Sequence, residues 1–255
     1  MSNYRKNIRV VARLDIKGQN LIKSVHLEGL RKMGVPNDFA LKYYDQGVDE
    51  LLCMDVVASL YGRNNLAEII EAVTKNVFIP ITVGGGIRSL EDAGKMLRAG
   101  ADKIAINTAA VNNPKLISEV AEKFGSQCTV VSVEAKSNSV GSWEVLTDNG
   151  REKTGLNVLD WVQSAEKLGA GELLVTSVDR EGTRKGYDKD LYKVIGEVTD
   201  LPLIASGGLG KPKHASELLV DSEVDAVAIA DFLHYGRGDV SDIKKELNDF
   251  GVNIR

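Results

Sequence analysis

Apolar residues along this chain come in short β-branched runs that alternate with stretches of helical period. "IRVVARLD" (8–15), "DELLCMDV" (49–56), "FIPITVGG" (78–85), "KIAINT" (103–108), "CTVVSVEA" (128–135), "ELLVTSVD" (172–179), "LPLIAS" (201–206) and "AVAIAD" (226–231) read as strands. Between them lie amphipathic segments such as "SLEDAGKMLRAG", where Leu90, Ala93, Met96 and Leu97 share one stripe. Helix starts are marked by Ser89 with Asp92 three residues on, and by Asn113 before Pro114. Eight strands, each followed by a helix, predict a parallel sheet. With no break in composition over 255 residues, they predict an α/β fold: one (βα)8 TIM barrel domain spanning 1–255. An open doubly wound sheet is the alternative. The longest loops are expected at 17–36 and 137–156.

The pattern repeats. "RLDIKG" matches "SVEAKS", with Asp15 over Glu134 and Lys17 over Lys136. "DELLCMDVVA" matches "GELLVTSVDR", with Glu50 over Glu172, and "VGGGI" before "ADKIAINT" matches "SGGLG" before "VDAVAIAD". Three matches in the same order, at an offset of 119 to 123 residues, argue for two four-unit halves. Asp15 and Glu134 would then end strands on opposite sides of one barrel mouth. Active sites of such barrels sit at that end. Two carboxylates across a small pocket form a natural acid/base pair, because repulsion and burial split their pKa values; each could instead cap its loop or pair with Lys17 or Lys136. The glycine turns "TVGGGIRS" and "ASGGLG" offer backbone N–H groups to anions, and Asn107 and Thr108 extend the first. Two such turns suggest a substrate with an anionic group at each end, although tight turns are also what barrel geometry demands.

Composition narrows the classes further. A hydrophobic fraction of 43%, a charged fraction of 27% and a net charge of −4 fit an ordinary globular protein with no pull toward nucleic acid. No secretory leader or membrane span is expected, and two lone cysteines, Cys53 and Cys128, in predicted strands fit a reduced cytoplasm. The three histidines show no metal-ligand spacing and read as loop or surface residues, with His26 a possible substrate contact. Arg9, Glu50, Lys103 and Glu172 fall near strand starts; on spacing alone they read as solvated rim.

"GLRKMGVPNDFALKYYDQGVDEL", "TVGGGIRSLEDA", "ADKIAINTAAVNNP", "FGSQCTVV", "GAGELLVTSVDREGTRKGYD" and "LIASGG" resemble the HisF family, cyclase subunits of imidazole glycerol phosphate synthase, over nearly the whole chain. In that family a glutaminase subunit releases ammonia, which passes along the barrel axis to a doubly phosphorylated substrate. The resemblance implies that Asp15 and Glu134 are the catalytic acids. It implies Gly86, Asn107 and Thr108 at one phosphate and Gly208 near the other, with Lys23, Gly182 and Thr183 as further substrate-binding candidates. Arg13, two residues before Asp15 on the same strand face, joins them as a candidate on its own chemistry: it would pair with Asp15 or Glu134, reach a sugar carboxylate, or only offset the buried acids. Arg9, Glu50, Lys103 and Glu172 match the ammonia gate, and Asp102 a partner-facing acid. No cofactor and no metal are implied; the partner is a HisH-like glutaminase in a heterodimer.

Four residues depart from the family pattern: Glu134 and Glu181 stand where Asp is usual, Arg13 replaces a small residue, and Asp231 replaces a Ser that would contact the second phosphate. "RLDIKG", "HLEGLR", "DVVASLYGRNNL" and "VSVEAK" are more similar to a HisF-like, WbuZ-like branch associated with glycosyl amidation. That branch implies conversion of an acetamido group of a sugar nucleotide to an acetamidino group, for surface polysaccharide. This reading ranks first on sequence. The histidine-pathway cyclase is second, and a non-catalytic barrel that only activates a glutaminase is third. Neither a phosphate-loop motif nor a glutaminase triad is present, so nitrogen would arrive as ammonia.

Overall fold

The computed structural model describes residues 7–58, 66–220 and 222–254. Met1–Lys6, on which the absence of a leader was judged, and positions 59–65 of "DVVASLYGRNNL" lie outside the described residues. β1 (Asn7–Lys17) runs into an antiparallel ribbon, β2 (Asn20–Val25) with β3 (Glu28–Gly34). β4 (Glu50–Asp55), β5 (Ile81–Gly84) and β6 (Lys103–Ile106) complete the first half. β7 (Thr129–Ser139) runs into a second ribbon, β8 (Ser142–Thr147) with β9 (Glu152–Asn157). β10 (Glu172–Ser177), β11 (Leu203–Ser206) and β12 (Ala226–Ile229) follow, and the two-residue β13 (Asn253–Ile254) pairs with the start of β1.

Eight of these strands close into a parallel barrel in the order β1-β4-β5-β6-β7-β10-β11-β12, and β12 returns to β1. Strand alternation sorts the side chains. Val10, Ala12, Leu14 and Ile16 join the large core under the helices. Val11 joins Leu52, Ala105, Val130, Leu174, Ile204 and Ala226 in a separate cluster that fills the lumen. Arg13 and Asp15 continue the Val11 series upward. Along this face of β1, apolar filling at Val11 lies between charge at Arg9 below and charge at Arg13 and Asp15 above.

The expected loops at 17–36 and 137–156 are instead mostly ribbon, and the two ribbons are equivalent. Asp15 pairs with Ile22 of the first and Glu134 with Leu146 of the second. The half-barrel repeat therefore extends to its excursions. Ser89 caps the helix Leu90–Arg98 by accepting from the Asp92 N–H at 3.2 Å. Asn113 does not cap: the helix Lys115–Phe124 starts behind Pro114 with no side-chain cap bond. His214 and His234 are buried on helices rather than at the surface, and Cys128 ends a 3-10 turn before β7. No described helix is long and apolar enough to cross a membrane.

Candidate active site

The mouth is organised around Arg13. Its Nε donates to Asp15 Oδ1 at 2.8 Å, and Nη1 donates across the lumen to Thr176 Oγ1 at 2.8 Å and Ser206 Oγ at 3.1 Å. Arg13 and Asp15 are only 4% and 1% exposed. Burial alone would raise the Asp15 carboxyl, but the positive charges of Arg13 and Lys23 outweigh it and hold the acid below its ordinary range. Asp15 Oδ2 is buried with no hydrogen-bond partner among the described residues.

Glu134 is the opposite case. Desolvation in the pocket pushes its carboxyl up to about 7, against the Gly150 N–H that donates to Oε2 at 2.7 Å. The two acids are thus poised apart: near neutral pH one is ionised and the other is close to half protonated.

A cavity of about 310 Å³ opens over this pair's second half. Arg13, Glu134, Gly86, Asn107 and Thr108 line it together, with Arg88, Asp55 and Asp148, which sequence reasoning did not single out. Arg88 lies two residues past Gly86, so "GGGIRS" carried its signal. Gly85 and Gly86 have φ of +95° and +70°, which frees their N–H groups for the turn. Arg13 also lines a smaller space with Lys23, Glu181, Gly182, Gly208 and Asp231. Lys23 and Glu181 form a buried ion pair that ties the first ribbon to the loop after β10. Asp15 lies against Arg13 and lines neither cavity. Thr183 stands apart from its expected group: its hydroxyl donates to the Arg180 carbonyl at 2.8 Å, and it lines an outer cleft with His26. His26 itself is held by the Val178 carbonyl at 2.8 Å.

Asp231 is not a bare acid at an anion site. Its Oδ1 lies 3.2 Å from Arg237 Nε and 3.5 Å from Arg184 Nε. Among the described residues, no cluster of His, Cys, Asp or Glu has the makings of a metal site.

At the opposite end of the barrel, Arg9, Glu50, Lys103 and Glu172 form a closed alternating ring rather than a solvated rim. Arg9 reaches Glu50 at 2.9 Å and Glu172 at 2.6 Å; Lys103 reaches Glu50 at 3.3 Å and Glu172 at 2.7 Å. Both glutamates are buried. Asp102 is exposed beside the ring, and its Oδ2 accepts from the Ile81 N–H at 2.8 Å. Asp49 and Asp225 do the same for Val10 and Leu203, so this acid has a structural duty at a strand start.

A closed barrel with two dissimilar acids at its carboxyl end and glycine turns beside them has the layout of a (βα)8 enzyme, with a charged ring closing its amino end. The family profile described as histidine biosynthesis protein matches residues 9–239. The imidazole glycerol phosphate synthase subunit HisF of Legionella pneumophila is 64% identical over 205 residues, 80% of this chain and 97% of that protein. Its counterparts in Dehalococcoides mccartyi (strain CBDB1) and Streptococcus mutans are 44% and 42% identical over 249 and 247 residues, covering at least 97% of each chain. This chain belongs to the HisF family and is a synthase subunit of that kind. These likenesses do not separate the WbuZ-like branch from the rest.

Proposed function

We propose that this chain is the cyclase subunit of an imidazole glycerol phosphate synthase. It works in the cytoplasm with a HisH-like glutaminase docked at the amino end of the barrel. The relatives' names reverse the order set by sequence alone, where the amidino-sugar reaction stood first. The observation that carries the reading is the split pair at the mouth, Asp15 held ionised by Arg13 and Glu134 held partly protonated by burial. Ammonia enters through the ring of Arg9, Glu50, Lys103 and Glu172 and ascends beside Arg13. When its nitrogen bonds to a substrate carbon it must lose a proton, which Asp15 can accept. Oxygen leaving from the substrate as water must gain one, which Glu134 can donate. The open cavity with Gly86, Arg88, Asn107 and Thr108 suits one phosphoryl end of the substrate.

Asp231 weighed against this reading as an uncompensated acid. Its two arginine partners remove much of that objection. The test is a side-by-side assay with saturating ammonium at pH 8, which bypasses the glutaminase. Turnover of the doubly phosphorylated histidine precursor is expected. Amidination of a diacetamido uronic-acid sugar nucleotide, with the precursor untouched, would restore the original order.

A further inference from the structure

Of the two mouth acids, only Glu134 meets the cavity of about 310 Å³. Asp15 lies against Arg13 and lines no cavity there, so it is the guanidinium of this ion pair that borders the substrate space. A guanidinium has five N–H donors. Three of them are engaged in Arg13: Nε with Asp15 Oδ1 at 2.8 Å, and Nη1 with Thr176 Oγ1 at 2.8 Å and Ser206 Oγ at 3.1 Å. These partners stand on β1, β10 and β11, so the group is held in plane and direction by three strands. Among the described residues, no acceptor takes the two hydrogens of Nη2.

A charged donor fixed in a wall that is 4% exposed costs free energy until something supplies an acceptor. Asp15 already balances the charge of Arg13. What Nη2 lacks is therefore an acceptor and not a counter-ion. A carbonyl oxygen has that character: it is neutral when it binds and turns negative when a nucleophile adds to its carbon. Glu134 lines the same cavity, and its charge and that of Arg13 act on each other. A donor and a carboxyl thus face one space, with Gly86, Arg88 and Thr108 along its wall.

We propose that Arg13 is a catalytic residue, whose Nη2 donates to the carbonyl oxygen of the substrate at the carbon that ammonia attacks. The proposal deepens the reading of the mouth as an ammonia-condensing site and rests on it. The nitrogen lone pair forms the C–N bond while the π pair moves onto oxygen, where the Arg13 N–H groups stabilise it. Asp15 takes a proton from nitrogen and Glu134 gives one to oxygen. Nitrogen then releases a second proton, the C–O bond breaks with its pair on oxygen, and oxygen leaves with two protons as water. A C=N bond remains, so ammonia and a carbonyl have become an imine and water.

The test compares wild type with R13K and T176V/S206A. R13K keeps a positive charge beside Asp15, but one compact ammonium cannot serve Asp15, the wall and the substrate together. T176V/S206A keeps the whole Arg13–Asp15 pair, loosens only Nη1, and guards against misfolding of R13K. The probe is dihydroxyacetone phosphate with carbon-13 at its carbonyl, a ketone with one phosphoryl end, followed by NMR on the full chain. In wild type the carbonyl resonance should move downfield on binding. In R13K that movement should be lost while the Gly86 and Thr108 amides still respond, and in T176V/S206A it should shrink. With the histidine precursor and saturating ammonium, kcat should fall by roughly 10² to 10³ in R13K, the cost of one oxyanion donor, with KM little changed. The Asp15 carboxyl should stay ionised at neutral pH in both variants. A carbonyl resonance unmoved in wild type, or moved equally in all three proteins, would overturn the proposal. So would loss of turnover that tracks protonation of Asp15, which would leave Arg13 a counter-ion. The two readings fail separately. A polarised carbonyl without turnover of the histidine precursor refutes only the cyclase. Turnover with kcat unmoved in R13K refutes only the role of Arg13.

Discussion

Arg13 and Asp15 are neighbours on one face of a single strand, joined at 2.8 Å and shut away from solvent. Each is the other's condition for being buried, so removing one strands the other's charge. Asp15→Asn should therefore destabilise the fold by on the order of 3 kcal/mol, read from urea unfolding. It should also cut ammonia-dependent turnover by roughly 10² to 10⁴. Arg13→Met/Asp15→Asn should regain stability without regaining turnover. A stable, active Asp15→Asn would return this acid to loop capping. The pair also fixes the acid limb. The depressed Asp15 pKa contributes stability that is complete above the unfolded value near 3.9 and is lost as pH falls through the lower folded value.

Glu134 predicts the opposite slope. Its folded pKa of about 7 stands above the ordinary 4.5, so the folded state holds a proton that the unfolded chain has released. Stability attributable to this group should fall as pH rises from about 4.5 to about 7. Glu134→Gln should flatten that fall. Turnover normalised to free ammonia should decline above about pH 7 as the acid is lost, and the decline should vanish, at a low rate, in Glu134→Gln. An unchanged profile in the variant would remove Glu134 from proton transfer.

The amino-end ring should separate two sources of nitrogen. Lys103→Met breaks contacts to both Glu50 and Glu172. With ammonium supplied at the mouth, turnover should stay near wild type. With glutamine and the partner glutaminase, product formed per glutamate released should drop several-fold. Equal coupling in both proteins would leave the ring a purely structural belt.

Gly85 tests the open anion turn. At φ +95°, a Cβ there would run into the carbonyl oxygen of Asp55. Gly85→Ala should raise KM and cost about 2 kcal/mol of stability, from overpacking combined with a left-handed alanine. Gly18→Ala is the control: φ is +58° with open space around it, so only the backbone term of about 1 kcal/mol applies and KM should not move.

The barrel was legible because its strands are buried on both faces and spell themselves as continuous apolar runs, as in "ELLVTS". The ribbons were not. β3 and β9 are largely exposed and carry polar sequences such as "EKTGLN", which resemble loops to any reading based on burial period. The acids Asp15 and Glu134 stood out because each closes an apolar run and the repeat aligns them, although both strands continue past them into the ribbons. The partners that decide their chemistry and that of Asp231 were harder. Arg184 and Arg237 come from the loops after β10 and β12 and meet only when the chain folds. His214 and His234 were misplaced because a buried histidine has no spacing signature; His234 is kept inside by its 2.7 Å hydrogen bond to the Tyr43 hydroxyl.

The matched ribbons have a consequence for how the chain is put together. If Asp15–Ile22 and Glu134–Leu146 are equivalent pairs, the molecule is a fused dimer with its seams at β6–β7 and β12–β1. Cut at those seams, each half would present two bare strand edges, whose unpaired backbone groups must find another half or aggregate. Neither half holds both acids, and Arg13 of one reaches Thr176 and Ser206 of the other. Co-produced halves that recover ammonia-dependent turnover would thus report assembly directly, because the two acids and the arginine bridge come together only where the halves meet.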